Sequence, residues 1–393
     1  MSRFSLPKDV SWILNKLEAS GYRADIVGGP VRDMIRGAVP HDFDITTSAL
    51  PDQTKAVFSG ERIIETGIRH GTVTLLKNGE QYEITTYRID GEYEDSRHPK
   101  SVSFTHRIEQ DLARRDFTIN AIAYSEQRGI TDPFGGSADI EKGIIRAVGR
   151  AEERFLEDAL RIIRGIRFAS VLGFSVDSET GAAMLSLGHL LEKISRERIF
   201  VEWKKLLSGI RALEILREYK AVTDVFFPEA EIPQNINAAN YHAASPTAKH
   251  ISLFASCTRE EYIRAMQRMK TDRFTADAGA RVISAIGKYG NDRVSVAFML
   301  RDLGCECSRL LVECEAILGM RKGIDFSAIE AVEISGIPYS ISALAVNGND
   351  LLARGLEGAE IKKALDNLLE RVILGELENE REVLLSSLAD VAH

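Results

Sequence analysis

Apolar and polar positions follow two different patterns along the chain, and the change falls near residue 150. Before it, short runs rich in β-branched residues predict strands at 24–27, 43–47, 71–77 and 81–88. The last two runs flank Asn78-Gly79, a pair that favours a two-residue β-hairpin. After it, apolar residues recur at spacings of three and four, which predicts helices. We therefore predict an α+β fold, with a small mixed sheet and helices followed by an all-helical remainder.

The first predicted strand lies between two segments for which the sequence predicts helices. Residues 6–20 predict an amphipathic helix that Gly21 ends. After the strand at 24–27, Gly28-Gly29 predicts a turn, and Pro30 is typical of a first helical residue. A turn of two glycines before a helix lets a ligand approach the backbone, and the free N–H groups of the helix start suit a phosphate.

Asp42 and Asp44 follow this short helix, and we expect the pair to fall on a strand, at the beginning of the run 43–47. Alternation along a strand places both carboxylates on one face, about 6–7 Å apart. Two hard oxygen ligands at that spacing can hold Mg²⁺ and leave positions for water and phosphate, as two-metal phosphoryl transfer requires. Taken alone, such a pair is more often a solvated strand end or a turn.

A second motif, DLARRDFTINAIAY, occupies residues 111–124. Its Arg115 can pair with triphosphate oxygens, and either Asp116 or Asn120 can bind a ribose hydroxyl. The alternative is a capped helix with solvated arginines, an interpretation that suits Arg114 better than the whole run.

A third motif, RFLEDALRIIRGIRFA, predicts one amphipathic helix over residues 154–169. On such a helix Asp158 and Arg161 are neighbours at the edge of the apolar stripe and can together pair with the edge of a C or A base. Gly165 costs about 1 kcal/mol against Ala in a helix, which favours close approach by a base. The alternative is an ordinary helix with a salt bridge between Asp158 and Arg161.

Composition narrows the class of protein. The 393 residues are 44% hydrophobic and 27% charged, which excludes a disordered or fibrous protein. No run of about 18 apolar residues or export signal is visible, so we expect no membrane span and a cytoplasmic location, with the four cysteines reduced. The net charge of −8 argues against a protein that coats nucleic acid non-specifically, although a local basic cleft remains compatible with it.

Taken together, the glycine pair, the helix with Arg32 and Asp33, and the pair Asp42-x-Asp44 resemble the signature of polymerase-β-like nucleotidyltransferases. In that superfamily a third carboxylate lies on a nearby strand, and Glu83 is the candidate here. With the other two motifs, nearly the whole chain resembles the class II, bacterial-type CCA-adding enzymes of the tRNA nucleotidyltransferase and poly(A) polymerase family.

This resemblance implies a function and its site. The reaction is template-independent addition of CCA to the 3′ end of tRNA from CTP and ATP, with release of pyrophosphate and with Mg²⁺ as cofactor. Asp42 and Asp44 would bind the metal, with Glu83 as the third catalytic carboxylate. The residues expected to contact the nucleotide are Gly28, Gly29, Arg32, Arg115, Asp116, Asn120, Asp158, Arg161, Arg164 and Arg167.

The resemblance also implies an organisation in four parts. These are a catalytic head at 1–148, a neck for base selection at 149–210, a helical body at 211–325 and a tRNA-binding tail at 326–393.

Alternatives within and beyond the family stay open. Enzymes that add only CC lack a flexible loop that corresponds to residues 88–99 here, so its presence favours full CCA addition. Enzymes that add only A keep similar motifs, and bacterial poly(A) polymerases usually carry a basic C-terminal extension, which this chain lacks. A non-catalytic RNA-binding relative would be expected to lose one member of the Asp42/Asp44 pair. A nucleotidyltransferase for small molecules would not need some 240 residues of helical body and tail.

Overall fold

The computed structural model describes residues 4–65, 67, 71–91 and 102–388. The chain separates into two compact units, Met1–Pro228 and Glu229–His393. Across the described ranges, no helix is long and apolar enough to cross a membrane. The predicted loop at 88–99 lies mostly outside the described residues, which resume at residue 102.

The first unit begins with a mixed sheet. Its strands are β1 (Ala24–Val27), β2 (Ile45–Thr47), β3 (Arg62–Ile64), β4 (Thr72–Lys77), β5 (Glu80–Thr86), β8 (Ala123–Ser125) and β9 (Gly129–Thr131), and a separate ribbon pairs β6 (Arg88–Asp90) with β7 (Val102–Phe104). Among the described residues the sheet has seven strands in the order β3-β4-β5-β2-β1-β8-β9. Among the strands described for this sheet, only β2 and β5 pair in parallel. The predicted α+β class is confirmed.

The hairpin predicted at Asn78-Gly79 joins β4 to β5. Both residues have positive φ, 51° and 86°, as a two-residue turn between twisted strands requires. The strand predicted at 43–47 begins two residues late, at Ile45. Asp42 and Asp44 therefore lie in the segment that leads into β2, although the carbonyl of Asp44 still accepts a hydrogen bond from the Val27 N–H at 3.0 Å.

Helices flank this sheet. They are α1 (Lys8–Ala19), α2 (Gly29–Ile35), α3 (Pro51–Val57), α4 (Ile108–Ala113) and α5 (Gly136–Lys142). The helix predicted at 6–20 corresponds to α1, and Gly21 follows its end with φ 85°. One core cluster lies between α4 and the strand ends and includes Val27, Tyr87 and Leu112.

The rest of the first unit is almost entirely helical. Its elements are β10 (Ile144–Ile145), α6 (Ala151–Glu157), α7 (Leu160–Leu172), β11 (Ser175–Val176), α8 (Ser178–Leu187), α9 (Arg196–Leu207), α10 (Ala212–Glu218) and α11 (Lys220–Thr223). The prediction of a single helix over 154–169 is wrong, because the helical conformation is interrupted between α6 and α7. Asp158 at this break has extended backbone angles (φ −140°, ψ 102°), and its carboxylate accepts a hydrogen bond from the Leu160 N–H at 3.0 Å.

Gly165 has a packing role that the sequence did not reveal. A Cβ added there would lie 2.1 Å from Met184 Cε and 2.8 Å from Phe117 Cζ. The glycine thus lets α7 pack closely against its neighbours in the core, and the expectation that a base approaches it is wrong.

The second unit is helical throughout its described part. Its helices are α12 (Ala238–Ala243), α13 (Pro246–Ser252), α14 (Arg259–Arg268), α15 (Arg273–Ala285), α16 (Arg293–Ile317), α17 (Ser327–Ile334), α18 (Gly348–Leu352), α19 (Ala359–Ile373) and α20 (Arg381–Ser387). Helix α16 is kinked at Gly304, whose φ of 72° is not helical. The four-part division at residues 148, 210 and 325 stays a prediction.

Candidate active site

The carboxylate pair Asp42 and Asp44 stands at the start of β2, and both side chains are exposed. Asp44 has protein on most sides although solvent reaches it. This desolvation raises its pKa above the ordinary value, Arg115 opposes the shift, and Asp42 adds to it. Two carboxylates that repel each other in this way would be stabilised by a divalent cation, and their hard oxygen atoms suit Mg²⁺.

Glu83 lies on the neighbouring strand and is also exposed. Ile45 pairs with Ile84 in the parallel β2–β5 ladder. If this register is extended by one residue towards the N-terminus, Asp44 lies beside Glu83. Within the described part of the chain, no three His, Cys, Asp or Glu residues are grouped closely enough to hold a metal ion. A site on Asp42 and Asp44 would thus complete its coordination with water and phosphate.

The glycine turn lies directly beside an arginine of the second motif. Gly28 has φ 79°, and a Cβ added there would lie 3.0 Å from Arg115 Nη1. Burial lowers the pKa of Arg115, and the carboxylate of Asp111, 3.5 Å away, opposes this. The positive φ favours a glycine at this position, and the guanidinium lies close to the start of α2, where Gly29 is the first helical residue.

A polar chain connects α2 to the second motif. Arg32 Nη1 donates to Asn120 Oδ1 at 2.9 Å, and Asn120 Nδ2 donates to Asp116 Oδ1 at 3.3 Å. Arg32 also donates twice to its neighbour Asp33. Asp116 and Asn120 are both buried. Three residues predicted separately as nucleotide contacts thus form one connected group.

Asp116 continues the chain to α7. Its Oδ2 lies 2.7 Å from Arg164 Nη2, and its Oδ1 accepts from the Phe117 N–H at 2.8 Å. Burial would raise the pKa of Asp116, but the charge and hydrogen bonds of Arg164 and Asn120 hold it at about 2. The carboxylate is thus ionised at neutral pH.

The second and third motifs meet around a pocket of about 240 Å³. Its lining consists of Arg114, Arg115, Asp116, Asp158, Leu160, Arg161, Arg164 and Arg198. Five of these are predicted nucleotide contacts. Arg114, for which a solvated side chain was the alternative, instead pairs with the buried Asp111 at 2.9 Å. Five arginines and two aspartates offer many donors and a few fixed acceptors, as recognition of a base or a phosphate needs.

The salt bridge between Asp158 and Arg161, which was the alternative interpretation of the third motif, is not formed. Arg161 Nη1 instead contacts Glu157 Oε2 at 2.6 Å, and its Nη2 donates to the Arg114 carbonyl at 2.9 Å. Asp158 Oδ2 lies 3.5 Å from Arg198 Nη2. The break between α6 and α7 turns the two side chains towards different partners, yet both still line the pocket.

Arg167 lies behind the pocket lining, where its Nε is 2.9 Å from Glu202 Oε2. The angles at this contact do not satisfy a hydrogen bond at either atom, so the attraction is mainly electrostatic. Sequence reasoning missed Glu202 and Arg198, both on α9. A signal was present, because Glu202 falls among the apolar residues of the buried face of that helix, where an unpaired carboxylate would be costly.

Comparison with known proteins defines the class. The Poly A polymerase head domain matches residues 24–146, and the RNA- and SrmB-binding site of polymerase A matches residues 173–232. The tRNA nucleotidyltransferase domain 2 matches residues 247–388. The fold and the site therefore define a nucleotidyltransferase with a poly(A) polymerase-type head.

Relatives of similar length narrow this class to a family. The CCA-adding enzyme of Streptococcus thermophilus is 36% identical over 95% of this chain and 94% of its own. That of Bacillus cereus is 36% identical over 98% of both chains. A crystal structure of the Bacillus stearothermophilus CCA-adding enzyme in complex with CTP superposes with a TM-score of 0.81 at 31% identity, over 98% of this chain and 97% of that one. The chain belongs to the family of CCA-adding enzymes, as its motifs predicted.

Proposed function

We propose that this protein adds C, C and A in that order to the 3′ end of tRNA, without a nucleic-acid template, from CTP and ATP with release of pyrophosphate. One observation carries the proposal: a pocket of about 240 Å³ lined by arginines and aspartates lies in the same unit as the Asp42/Asp44 pair. Relatives support it, since solved CCA-adding enzymes include complexes with CTP and with ATP.

The triphosphate would bind between the glycine turn and two arginines. Gly28 and Gly29 leave the backbone open at the start of α2, while Arg32 and Arg115 supply positive charge on either side of it. Both arginines are held by carboxylates, so little reorganisation is needed when the leaving pyrophosphate gains charge. Positioning and charge neutralisation do most of the work in phosphoryl transfer.

Asp42 and Asp44 would hold Mg²⁺, with Glu83 nearby as the third carboxylate. When bound, the ion makes a hydroxyl more acidic and neutralises charge on phosphate oxygens. The protein keeps both carboxylates exposed, so that the 3′ hydroxyl of tRNA and the α-phosphate can approach from solvent.

Base choice would take place in the pocket between the second and third motifs. Asp158 offers acceptors and Arg161 offers donors, and each is held by a partner outside the pair. Arg164 adds positive charge to the lining of the same pocket, and Arg167 follows it on α7. Either Asp116 or Asn120, which are linked to Arg32 by hydrogen bonds, would bind a ribose hydroxyl.

The remaining parts would serve the tRNA. We assign catalysis to the head at 1–148, base selection to the neck at 149–210, and tRNA binding to the tail at 326–393, with the body at 211–325 between them. A protein that acts on tRNA, has relatives in bacteria and shows no membrane-spanning helix in its described residues would work in the cytoplasm.

The experiment is primer extension on a tRNA transcript that ends at the discriminator nucleotide, with Mg²⁺ and CTP alone, ATP alone, or both. We expect two added nucleotides with CTP alone, three with both, and none with ATP alone. A run of A with ATP alone would identify a poly(A) polymerase. Arrest after CC with both nucleotides would identify a CC-adding enzyme, and extension only of a transcript that already ends in CC would identify an A-adding one.

A further inference from the structure

Phe168 on α7 is contacted by three arginine side chains. The guanidinium carbon of Arg167 lies 3.7 Å from the centre of its ring, that of Arg164 lies 5.4 Å away, and that of Arg32 lies 5.5 Å away. Phe168 is itself 6% exposed. Arg32 comes from α2, more than a hundred residues earlier in the chain. The ring therefore lies close to arginines from two distant parts of the sequence.

The guanidinium groups of these three arginines also contact polar side chains. Arg32 donates to Asn120, Arg164 pairs with Asp116, and Arg167 contacts Glu202. Each guanidinium thus contacts a carboxylate or an amide and also lies near the aromatic ring. The three are mostly buried, with 11%, 33% and 14% of their side chains exposed for Arg32, Arg164 and Arg167.

Three positive charges in so small a volume repel one another. The pKa of Arg167 reflects this, because burial lowers it and the nearby Arg164 and Arg32 lower it further, against the opposing charge of Glu202. An aromatic face attracts a guanidinium and leaves its N–H groups free at the edge. An aliphatic side chain of similar size would fill the space but would not attract the cations.

We propose that Phe168 is a positioning residue for the incoming nucleotide. Its ring fixes Arg32, on the triphosphate side, relative to Arg164 and Arg167, on the base side, so that both ends of CTP or ATP meet arginines already in place. This role rests on the proposed function for the identity of the ligand. It predicts an equal effect on CTP and ATP, because the ring contacts the arginines and not the base.

A purely structural role is the competing explanation, since Phe168 also makes an edge-to-face contact with Phe117, with ring centres 5.9 Å apart. Fluorinated phenylalanines separate the two roles. Successive fluorine atoms weaken the attraction of the ring face for a cation while they keep the shape of the side chain almost unchanged.

The test measures equilibrium binding of CTP and of ATP to the full-length protein with Phe168 replaced by mono-, di- and trifluorophenylalanine, and in the variant Phe168→Leu. Phe58→Leu is the matched control, because Phe58 is fully buried and has the amine of Lys16 5.2 Å from its ring centre, in another part of the unit. Thermal unfolding of every variant reports the change in stability.

We expect Kd for both nucleotides to rise in steps with fluorine number and to rise about fivefold in Phe168→Leu, since a cation–π contact contributes about 1 kcal/mol. Phe58→Leu should lower the unfolding temperature and leave both Kd values unchanged. The proposal is overturned if the trifluoro variant binds CTP and ATP as the wild type does. Primer extension on tRNA by the wild type decides the proposed function separately, because nucleotide binding can be intact when extension fails.

Discussion

Asp116 and Arg164 form a partly buried ion pair, 2.7 Å between Oδ2 and Nη2, that joins the RRDFTINA motif to helix α7. The two residues are 48 positions apart, and the pair brings the triphosphate-side group of Arg32 and Asn120 next to the base pocket. The residues proposed to bind the nucleotide and those proposed to select the base thus share one charged network in the first unit.

This ion pair gives the protein a defined response to acid. The folded-state pKa of Asp116, about 2, is below its ordinary value of 3.8, so the pair contributes stability above the unfolded value and loses it as pH falls through about 2. Asp116→Asn should lower the free energy of unfolding at pH 7 by about 2–3 kcal/mol and flatten its dependence on pH between about 5 and 2. Urea unfolding across this range measures both effects.

The control for that measurement is Asp224→Asn, which removes an exposed ion pair with Lys220. Surface pairs contribute about 0–1 kcal/mol, so the pH profile of the control should follow that of the wild type. A profile for Asp116→Asn that also follows the wild type would show that Asp116 and Arg164 are not coupled as described.

The proposed metal-binding role of Asp44 predicts a loss of every addition step. Asp44→Asn should reduce incorporation of both C and A by at least about a thousandfold, because the same carboxylate would serve each transfer. The unfolding temperature should not fall, since the exposed carboxylates repel each other in the free protein. Asp52→Asn, on the exposed face of α3, is the control and should retain full activity. Near-normal incorporation by Asp44→Asn with Mg²⁺ would refute the metal assignment.

Asp158 is expected to act on base choice and not merely on rate. Asp158→Ala removes an acceptor from the pocket and frees Arg198, so discrimination against UTP and GTP should fall about ten- to two-hundredfold. Competition assays with all four nucleoside triphosphates measure this ratio. Glu153→Ala, exposed on α6, is the control. If the Asp158 variant still incorporates only C, C and A, Asp158 has a structural role, and the base is bound by other residues.

Substitution of Gly165 tests the packing of α7 independently of the roles proposed for the charged residues on this helix. Gly165→Ala forces a methyl group against the Phe117 ring and Met184, and overpacking of this kind costs about 1–3 kcal/mol. Thermal unfolding should show the loss, and Gly165→Ala should cost less when it is made in the variant Met184→Ala, although the cost should not vanish, since Phe117 still blocks the methyl group. A fully stable Gly165→Ala variant would contradict the observed packing.

Local rules predicted much of the head. The hairpin at Asn78-Gly79 and the helix before Gly21 depend on residues next to each other in sequence, and both are present as predicted. The break at Asp158 was missed because apolar spacing continues through it. Its local signal was an aspartate, whose carboxylate can accept a hydrogen bond from the N–H two residues later and so form an Asx turn.

The contacts between individual side chains of the site could not be predicted from the sequence. Arg167 pairs with Glu202 and Arg161 with the carbonyl of Arg114, and both contacts depend on how helices pack in three dimensions. The motifs predicted which residues belong to the site, whereas the fold determines which of these residues are in contact. Phe168 illustrates this, because only the folded chain places Arg32 beside it.

The most direct measurement of the central claim is sequencing of the 3′ ends formed when the wild-type protein acts on tRNA without CCA in the presence of equal concentrations of all four nucleoside triphosphates. If protein side chains select the nucleotide as proposed, the products end in CCA after the discriminator nucleotide, and a hairpin RNA without the tRNA fold is extended little. Products that end in runs of A, in CC alone, or in mixtures with U and G would contradict the account.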